Sequence, residues 1–569
     1  MNAQPEQQTC FCSPLLSGFL EPSSHQEEST TTSFELLLER RSRDLCMDAL
    51  AEDIRTFHQG RITAVFAHHS FLRGLTETQQ MQLFSSLPVD DLEEISLSSA
   101  TISAKALTAL LGRTQKLQKI YLDRVVLQCK TSQVMEQQSQ LSQAVEGLDH
   151  LYDFHLSFGS GSGRGVSLLR VAGQEETVAM FAKHEAEDNL TPLVKALAST
   201  KVIRSVYLGY DLEDSDRPEI DPAALALLSQ KTRHLILRHI PLGVQHVAGL
   251  ASDSLQSLAL LNSNLGDDGA LALAQHLEEI KLPSLRKLFV AGNCISDKGG
   301  MAILQAIQTN PALQQQMKVL DVHCNTMTAH MAMALAKYIR MPTCQLKYLD
   351  LSWNNIGDET VIASALHENR TLEQLVLYQC GLGDKACKSF ASSLSVNKTL
   401  KKLNLHQNDA ITNDGIAAIG ETLRNHNWTL QWLEVKAPAA SPEHYAMKIL
   451  DFFLKLNRSG RQQLLLQSTS ETQFLNNGLV AATANKDVDS LFYLLCERPT
   501  MISNTVILEP VIPVMETPVT KAIAAKFEQQ RISVLETPVT KAIAAKFEQQ
   551  RRRRRPTSSG AKIMFAAQA

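Results

Sequence analysis

One strand-length frame recurs along this chain, and it limits the fold more than any other feature. The frame is an apolar residue, two variable ones, an apolar, one variable, an apolar, two variable, Asn or a small residue, then another apolar. It is plainest at Leu346, in LKYLDLSWNNI. The same frame begins at Leu255 (LQSLALLNSNL), Leu285 (LRKLFVAGNCI), Met317 (MKVLDVHCNTM), Leu372 (LEQLVLYQCGL) and Leu400 (LKKLNLHQNDAI), with starts 30, 32, 29, 26 and 28 residues apart. Looser copies begin at Leu92, Leu117, Leu151, Ile203 and Thr232, and a last strand begins at Leu430.

Alternating apolar residues in the frame suit a short strand, and following stretches such as DDGALALAQHL and NDGIAAIGETL carry apolar residues at helical spacing. Each repeat is therefore one strand plus one helix. Parallel strands stack about 4.8 Å apart, whereas packed helices need roughly 8–10 Å, so the array bends with its strands inside. The expected fold is an α/β solenoid, a horseshoe of parallel inner strands and outer helices with helical caps and disordered termini. Asn293, Asn325, Asn354 and Asn408 fall at the turn leaving the strand, where a carboxamide can satisfy backbone groups that no strand ladder reaches. Cys380 takes that place in one copy.

Repeats near 28 residues with Asn or Cys at this turn resemble ribonuclease-inhibitor-type leucine-rich repeats. So does an Asp-x-Gly helix start, written Asp267-Asp268-Gly269, Asp297-Lys298-Gly299 and Asn413-Asp414-Gly415. The resemblance implies the horseshoe and a surface that holds a protein, as in ribonuclease inhibitor, the sensor end of NACHT-type innate immune receptors and the Ran GTPase-activating protein. No nucleotide-binding module accompanies the repeats. The glycines at 159, 161, 163 and 165 lack the Lys-Ser/Thr pair of a phosphate-binding loop.

Around the array, assigned to 91–437 with an insertion near 157–200, the expected divisions are as follows. Residues 1–33, rich in Ser, Thr and Gln, read as a disordered leader. Residues 34–90 read as a helical N-terminal cap, and 438–505 as a helical C-terminal cap. Residues 506–569 form a mostly disordered tail, in which ETPVTKAIAAKFEQQR occurs at 516–531 and again at 536–551. Such a tandem copy raises avidity for a clustered target, or is a recent duplication without selected use. The run Arg551, Arg552, Arg553, Arg554 and Arg555 reads as a nuclear import signal, as a contact for an acidic surface, or as a solvated charge cluster.

Charge and composition narrow the function. From Val506 onward there are 11 Lys/Arg and 5 Glu, so the tail carries +6 of a total of −4 and the remainder carries −10. A net-acidic body argues against nucleic-acid binding by the repeats. Ten Cys in 569 residues are too few for a disulfide scaffold, and neither a secretion leader nor an apolar run near 20 residues occurs. The expected location is the cytoplasm or, if the Arg run is an import signal, the nucleus. Gly-x-Ser-x-Gly, His-Glu-x-x-His and metal-spaced Cys/His sets are all missing, so no catalytic residue, cofactor or metal ligand is assigned. The acceptor patterns at Asn369, Asn397 and Asn427 each precede a strand Leu and read as repeat geometry rather than glycosylation sites.

Binding is the better expectation, because strand residues alternating with the core Leu face the inner surface. Those positions are Phe289, Asp321, His323, Tyr348, Asp350, Val376, Tyr378, Asn404, His406, Trp432 and Glu434, with Trp353 at their rim. They make an aromatic patch beside carboxylates, and Trp and Tyr most often anchor interfaces. The expected function is a noncatalytic scaffold or sensor that grips a protein partner there. The alternative is a GTPase activator like the Ran-directed protein, whose repeats end in a strongly acidic segment where this chain ends basic.

Overall fold

The computed structural model describes residues 20–22, 33–38, 47–55, 61–68, 75–159, 177–181, 190–210, 219–357, 360–436, 445–458 and 461. They fall into two compact units that divide between His444 and Tyr445.

The first unit is a solenoid. Its strands are β1 (Leu20–Pro22), β2 (Ser33–Leu38), β3 (Arg61–His68), β4 (Glu94–Ser98), β5 (Thr101–Ser103), β6 (Lys119–Lys130), β7 (Asp153–Phe158), β8 (Thr177–Ala179) and β9 (Ser205–Tyr210). They continue as β10 (His234–Arg238), β11 (Ser257–Leu261), β12 (Lys287–Phe289), β13 (Val319–Asp321), β14 (Tyr348–Asp350), β15 (Gln374–Val376), β16 (Lys402–Asn404) and β17 (Trp432–Glu434). Fourteen of them, β2–β4, β6, β7 and β9–β17, form one parallel sheet in chain order. Helices fill the outer layer: α1 (Met47–Arg55), α2 (Glu77–Ser86), α3 (Ala104–Leu111), α4 (Val134–Glu146), α5 (Thr191–Ser199), α6 (Pro222–Lys231) and α7 (Val244–Ala248). The layer continues with α8 (Gly266–Glu278), α9 (Asp297–Thr309), α10 (Pro311–Gln316), α11 (Ala329–Arg340), α12 (Val361–Ala365), α13 (Asp384–Val396) and α14 (Asn413–Asn425). The second unit's described part is a helix, α15 (Tyr445–Arg458), inside the stretch expected to be helical at 438–505.

Leu258, Leu288, Leu320, Leu349, Leu375 and Leu403 stand at the same register on neighbouring strands, fully buried. The helices close over them with apolar residues three and four apart, such as Ile303, Leu304, Ala306 and Ile307 of α9.

The asparagines at the strand exits tie each repeat to the one before. The Asn354 side-chain NH2 donates to the Val322 carbonyl of the preceding repeat and the Leu351 carbonyl of its own, each at 3.0 Å, and its oxygen accepts from Met327 N–H. Asn325 bonds in the same way to Val290, Val322, Asn293 and Ile295, and Asn408 to Leu377, Leu405, Cys380 and Leu382. Just before each of these positions the backbone turns left-handed, at Cys324, Trp353, Gln379 and Gln407, and at Gly292. A side chain at Gly292 would collide with the Asn262 amide, so glycine is required there.

The Asp-x-Gly starts have a similar cross-repeat cause. Asp267 accepts hydrogen bonds from Ser296 N–H and Oγ–H and from Gly299 N–H, the cap of the next helix. A Cβ on Gly299 would lie 2.7 Å from the Asp267 carboxylate, so the glycine admits the aspartate of the preceding repeat. Asp384 does the same for Thr412 and Gly415.

Several expectations need correction. Residues 34–90 are not an all-helical cap: β2 and β3 extend the parallel sheet, with α1 and α2 outside. The apolar run in SFELLL suits a helix or a buried strand alike, and the neighbouring strand decides it. Part of the leader also enters the sheet, since β1 pairs antiparallel with β2; the rest of 1–19 and 23–32 lies outside the described residues. At the end of the segment read as an insertion near 157–200, α5 takes an ordinary place in the outer layer beside α4 and α6. The remainder of 438–505 and the whole tail from 506, with its duplication and Arg run, lie outside the described residues.

Replacing Asn354 by Ala strands several buried backbone groups, each costing about 1–3 kcal/mol. Asn354→Ala is expected to lower stability by about 2–4 kcal/mol in denaturant titration, while the exposed neighbour change Asn355→Ala moves it by under about 0.5 kcal/mol. Equal shifts for the two would show that the carboxamide ladder does not hold the repeats together.

Candidate functional site

Two rows of side chains flank the buried leucines on the strand face. One runs His234, Ser257, Lys287, Val319, Tyr348, Gln374, Lys402 and Trp432; the other runs Ile236, Ala259, Phe289, Asp321, Asp350, Val376, Asn404 and Glu434. Each residue therefore meets its counterpart in the next repeat at the strand spacing of about 4.8 Å. Phe289, Asp321, Tyr348, Asp350, Val376, Asn404, Trp432 and Glu434 stand in these rows.

His323, Tyr378 and His406 lie just beyond the strands' ends, and Tyr378 and His406 form a line with Trp353. The Trp353 and Tyr378 rings are 5.5 Å apart, and Tyr378 stacks on His406 at 5.6 Å. Trp353 reaches this line from the left-handed turn position, at φ 57°, which accounts for its one-residue offset from the strand alternation. Trp353 and Trp432 are each 49% exposed. At the array's end, Asn404 donates to the Glu434 carboxylate at 2.6 Å.

Asp321, His323 and Asp350 form a second feature. Their side chains offer ligand atoms within 4.8 Å of one another, and this is the one such group of three among the described residues. The donor set, one imidazole and two carboxylates, fits a divalent cation in type. Internal hydrogen bonds already occupy it, however. Asp321 Oδ1 accepts from His323 N–H and lies 2.7 Å from His323 Nδ1, while Asp350 accepts from Ser352 N–H and from the Tyr348 hydroxyl at 2.9 Å. The bond to Asp321 holds the His323 pKa above its ordinary value despite burial. Burial, with Asp321 alongside, raises that of Asp350, and burial with Asp350 raises that of Tyr348. Sequence reasoning found no third partner for His323; the fold supplies one by placing Asp321 and Asp350 at the same register.

A second aromatic column escaped the sequence reading. Tyr121, His155 and Tyr207 share the Phe289 register on β6, β7 and β9 and stack at 4.0 and 4.1 Å, both at 15°. Tyr121 is 46% exposed. Burial lowers the His155 pKa, partly opposed by Asp123 at 3.7 Å. The signal was present: each of these residues comes four after a loose frame start, at Leu117, Leu151 and Ile203, as Phe289 comes four after Leu285.

Two cysteines and three asparagines are accounted for structurally. Cys380 is buried against the Leu351 carbonyl, and burial pushes its thiol up to about 12; Cys387 is buried in α13. Asn369, Asn397 and Asn427 are buried, with their amides donating to Ile339, Leu366 and Leu394 carbonyls. No described helix is long and apolar enough to cross a membrane.

The sequence model of the Leucine Rich repeat family matches residues 281–304, 344–363 and 396–420. Mouse NACHT, LRR and PYD domains-containing protein 12 is 27% identical over 42% of this chain, a stretch that covers 21% of that protein. Human NACHT, LRR and PYD domains-containing protein 14 is 30% identical over 40% of the chain and 21% of its own length. Mouse ribonuclease inhibitor is 28% identical over 32% of the chain and 45% of its own length. The chain thus spans about a fifth of the NACHT relatives and under half of the inhibitor. A solved internalin from Listeria monocytogenes covers 69% of the chain at 14% identity, with a TM-score of 0.33.

Because Asp321 raises the His323 pKa, their pairing stabilises the fold fully below about pH 6.5 and fades as pH rises through the raised value. In an NMR titration, His323 is expected to titrate above the ordinary histidine range, and Asp321→Asn to return it toward that range. An unchanged His323 titration in Asp321→Asn would show that the pair does not form in solution.

Proposed function

The chain is a leucine-rich-repeat protein of the ribonuclease-inhibitor type, and on that premise we propose that it is a noncatalytic scaffold or sensor that binds a protein partner on its strand face. The observation that carries this reading is the line Trp353, Tyr378 and His406, with Trp432 on the same face. No core position uses these rings, and half-exposed Trp and Tyr in a row are the side chains that most often anchor an interface. The mouse relative named ribonuclease inhibitor acts, by that name, on another protein, a ribonuclease.

In this reading the contact residues are Phe289, Asp321, His323, Tyr348, Asp350, Trp353, Tyr378, Asn404, His406, Trp432 and Glu434. The chemistry is recognition rather than turnover. Asp350 and Tyr348 are bonded to each other, and His323 to Asp321, so the face is a set of oriented polar groups around aromatic anchors. The duplicated tail and Arg551–Arg555 give a second contact or an import signal, placing the protein in the cytoplasm or the nucleus.

Affinity capture with identification of bound proteins tests this, comparing the full chain, a truncation ending at Thr505, and the triple variant Trp353→Ala, Tyr378→Ala and Trp432→Ala. Each lost anchor costs about 1–2 kcal/mol, so the triple variant is expected to weaken its partner by about a hundredfold or more. A partner that survives the triple variant and disappears only with the tail would overturn the strand-face reading. Faster GTP hydrolysis by a captured small GTPase would make the chain an activator instead.

A further inference from the structure

The strand face is polarised, which the net charge of the body conceals. One position before the first inward-facing row, the backbone of each repeat bonds to the same position of its neighbour, so those residues also stack in register. From β9 to β16 they read Arg204, Arg233, Gln256, Arg286, Lys318, Lys347, Glu373 and Lys401. The adjoining row adds Lys287 and Lys402. Of the sixteen places in these two rows, eight hold Lys or Arg and one holds an acid. Lys318 is half-buried and the other seven cations are exposed.

Internal pairing does not neutralise this strip. Glu373 bridges Lys347 at 2.8 Å and Lys401 at 2.7 Å. Among the described residues, Arg204, Arg233, Arg286, Lys287 and Lys402 have no ion-pair partner. The field is felt locally: His234 stands in the strip, and burial together with Lys287 and Arg233 lowers its pKa. The strip also contains a shallow pocket lined by Lys287, Phe289, Val319, Lys347, Tyr348, Glu373 and Gln374. Apolar walls from Phe289, Val319 and Tyr348 thus lie between two lysines.

We propose that this ladder, in the same strand face argued above to hold a protein partner, docks an acidic polypeptide segment whose carboxylates lie along the cations and whose apolar side chain fills the Phe289/Tyr348 pocket. Eight strands at about 4.8 Å make the strip roughly 34 Å long, which about ten extended residues cover. A phosphodiester strand offers the same charge but fits the surroundings less well. Asp321 and Asp350, at the centre of the next row, would repel a phosphate track broad enough to lie over the face, whereas a polypeptide confines its charge to one edge. Opposite charges aligned in this way set approach and register more than total affinity.

The test is fluorescence anisotropy on the full chain with three labelled probes of about twelve residues or nucleotides. These are a Glu/Asp-rich peptide with one central Leu, its Gln/Asn counterpart, and an oligouridylate. The acidic peptide is expected to bind, and to weaken several-fold between about 50 and about 200 mM salt. The neutral peptide is expected not to bind. Arg286→Gln, Lys318→Gln and Lys347→Gln together remove three contacts worth about 0.5 kcal/mol each and are expected to weaken the acidic peptide about tenfold. Circular dichroism and a second variant, Arg204→Gln with Arg233→Gln, guard against loss of fold, and the second variant is expected to weaken binding in the same direction. Failure of the acidic peptide to bind, or binding indifferent to both variants, overturns the proposal. So does tighter binding of the oligouridylate, which would make the strip a nucleic-acid surface. If the partner captured through Trp353, Tyr378 and Trp432 persists while the ladder variants have no effect, the strand-face reading stands and only its acidic segment is wrong.

Discussion

A buried carboxamide at each strand exit is the interaction on which the rest of this structure depends. When a three-residue strand ends, its backbone must turn toward the outer helix while still inside the protein, and the turn leaves carbonyls and N–H groups that no ladder reaches. Asn293, Asn325, Asn354 and Asn408 satisfy them, each reaching the preceding repeat as well as its own. Cys380 keeps the place with a weaker donor, its sulfur 3.4 Å from the Leu351 carbonyl. Its thiol remains protonated because it is buried, and the Asn354 and Trp353 N–H groups of the preceding repeat donate to the sulfur, so the cysteine keeps both roles of the amide with a weaker donor and a weaker acceptor. A second set, Asn310, Asn369, Asn397 and Asn427, ties the far ends of the helices in the same manner.

These bonds fix the strand face with a precision that side-chain packing alone would not provide. Because the clear repeats are hydrogen-bonded to their neighbours through these amides and through the strand ladder, a residue at one register meets the same register next door at a constant interval. Asp321 and Asp350 become a pair although 29 positions separate them in the chain. Trp353, Tyr378 and His406 become a stacked line. The aspartates at the helix starts perform the matching task outside, where Asp267 and Asp384 each cap the following helix. Burial alone would raise their pKa values, but hydrogen bonds from Ser296 and Gly299, and from Thr412 and Gly415, outweigh it and keep both carboxyls ionised.

Much of this architecture is legible in the sequence, because the repeat writes the same physics many times. Frames at Leu255 to Leu400 mark β11–β16, and even the loose starts at Leu92, Leu117, Leu151 and Ile203 lead into strands. Legibility fails where a segment lacks its own pattern and borrows structure from a neighbour. Leu36 to Leu38 is a short apolar run, compatible with a helix, until β3 offers it a parallel edge. Leu20–Pro22 carries no strand signal and pairs because β2 is there. The inner-face residues of the clear repeats were readable by alternation, whereas Tyr121, His155 and Tyr207 were hidden by the irregular spacing of their repeats rather than by their chemistry.

Charge is the property that the linear chain represented worst, and the reason is geometric. Summed charge treats a lysine in a turn and a lysine on a strand alike, yet only stacked positions add their fields along one line. The motifs LRKLF, MKVLD, LKYLD and LKKLN each place one or two cations directly after the frame's first residue. A frame held in register therefore concentrates them at one edge. The same register that sets these cations along the edge sets Asp321 and Asp350 in the next row but one along each strand, so attraction and repulsion for an anion are separated by only a few ångströms. A surface built that way discriminates by the width of the charged partner as well as by its sign. That follows from repeat geometry and is invisible to composition.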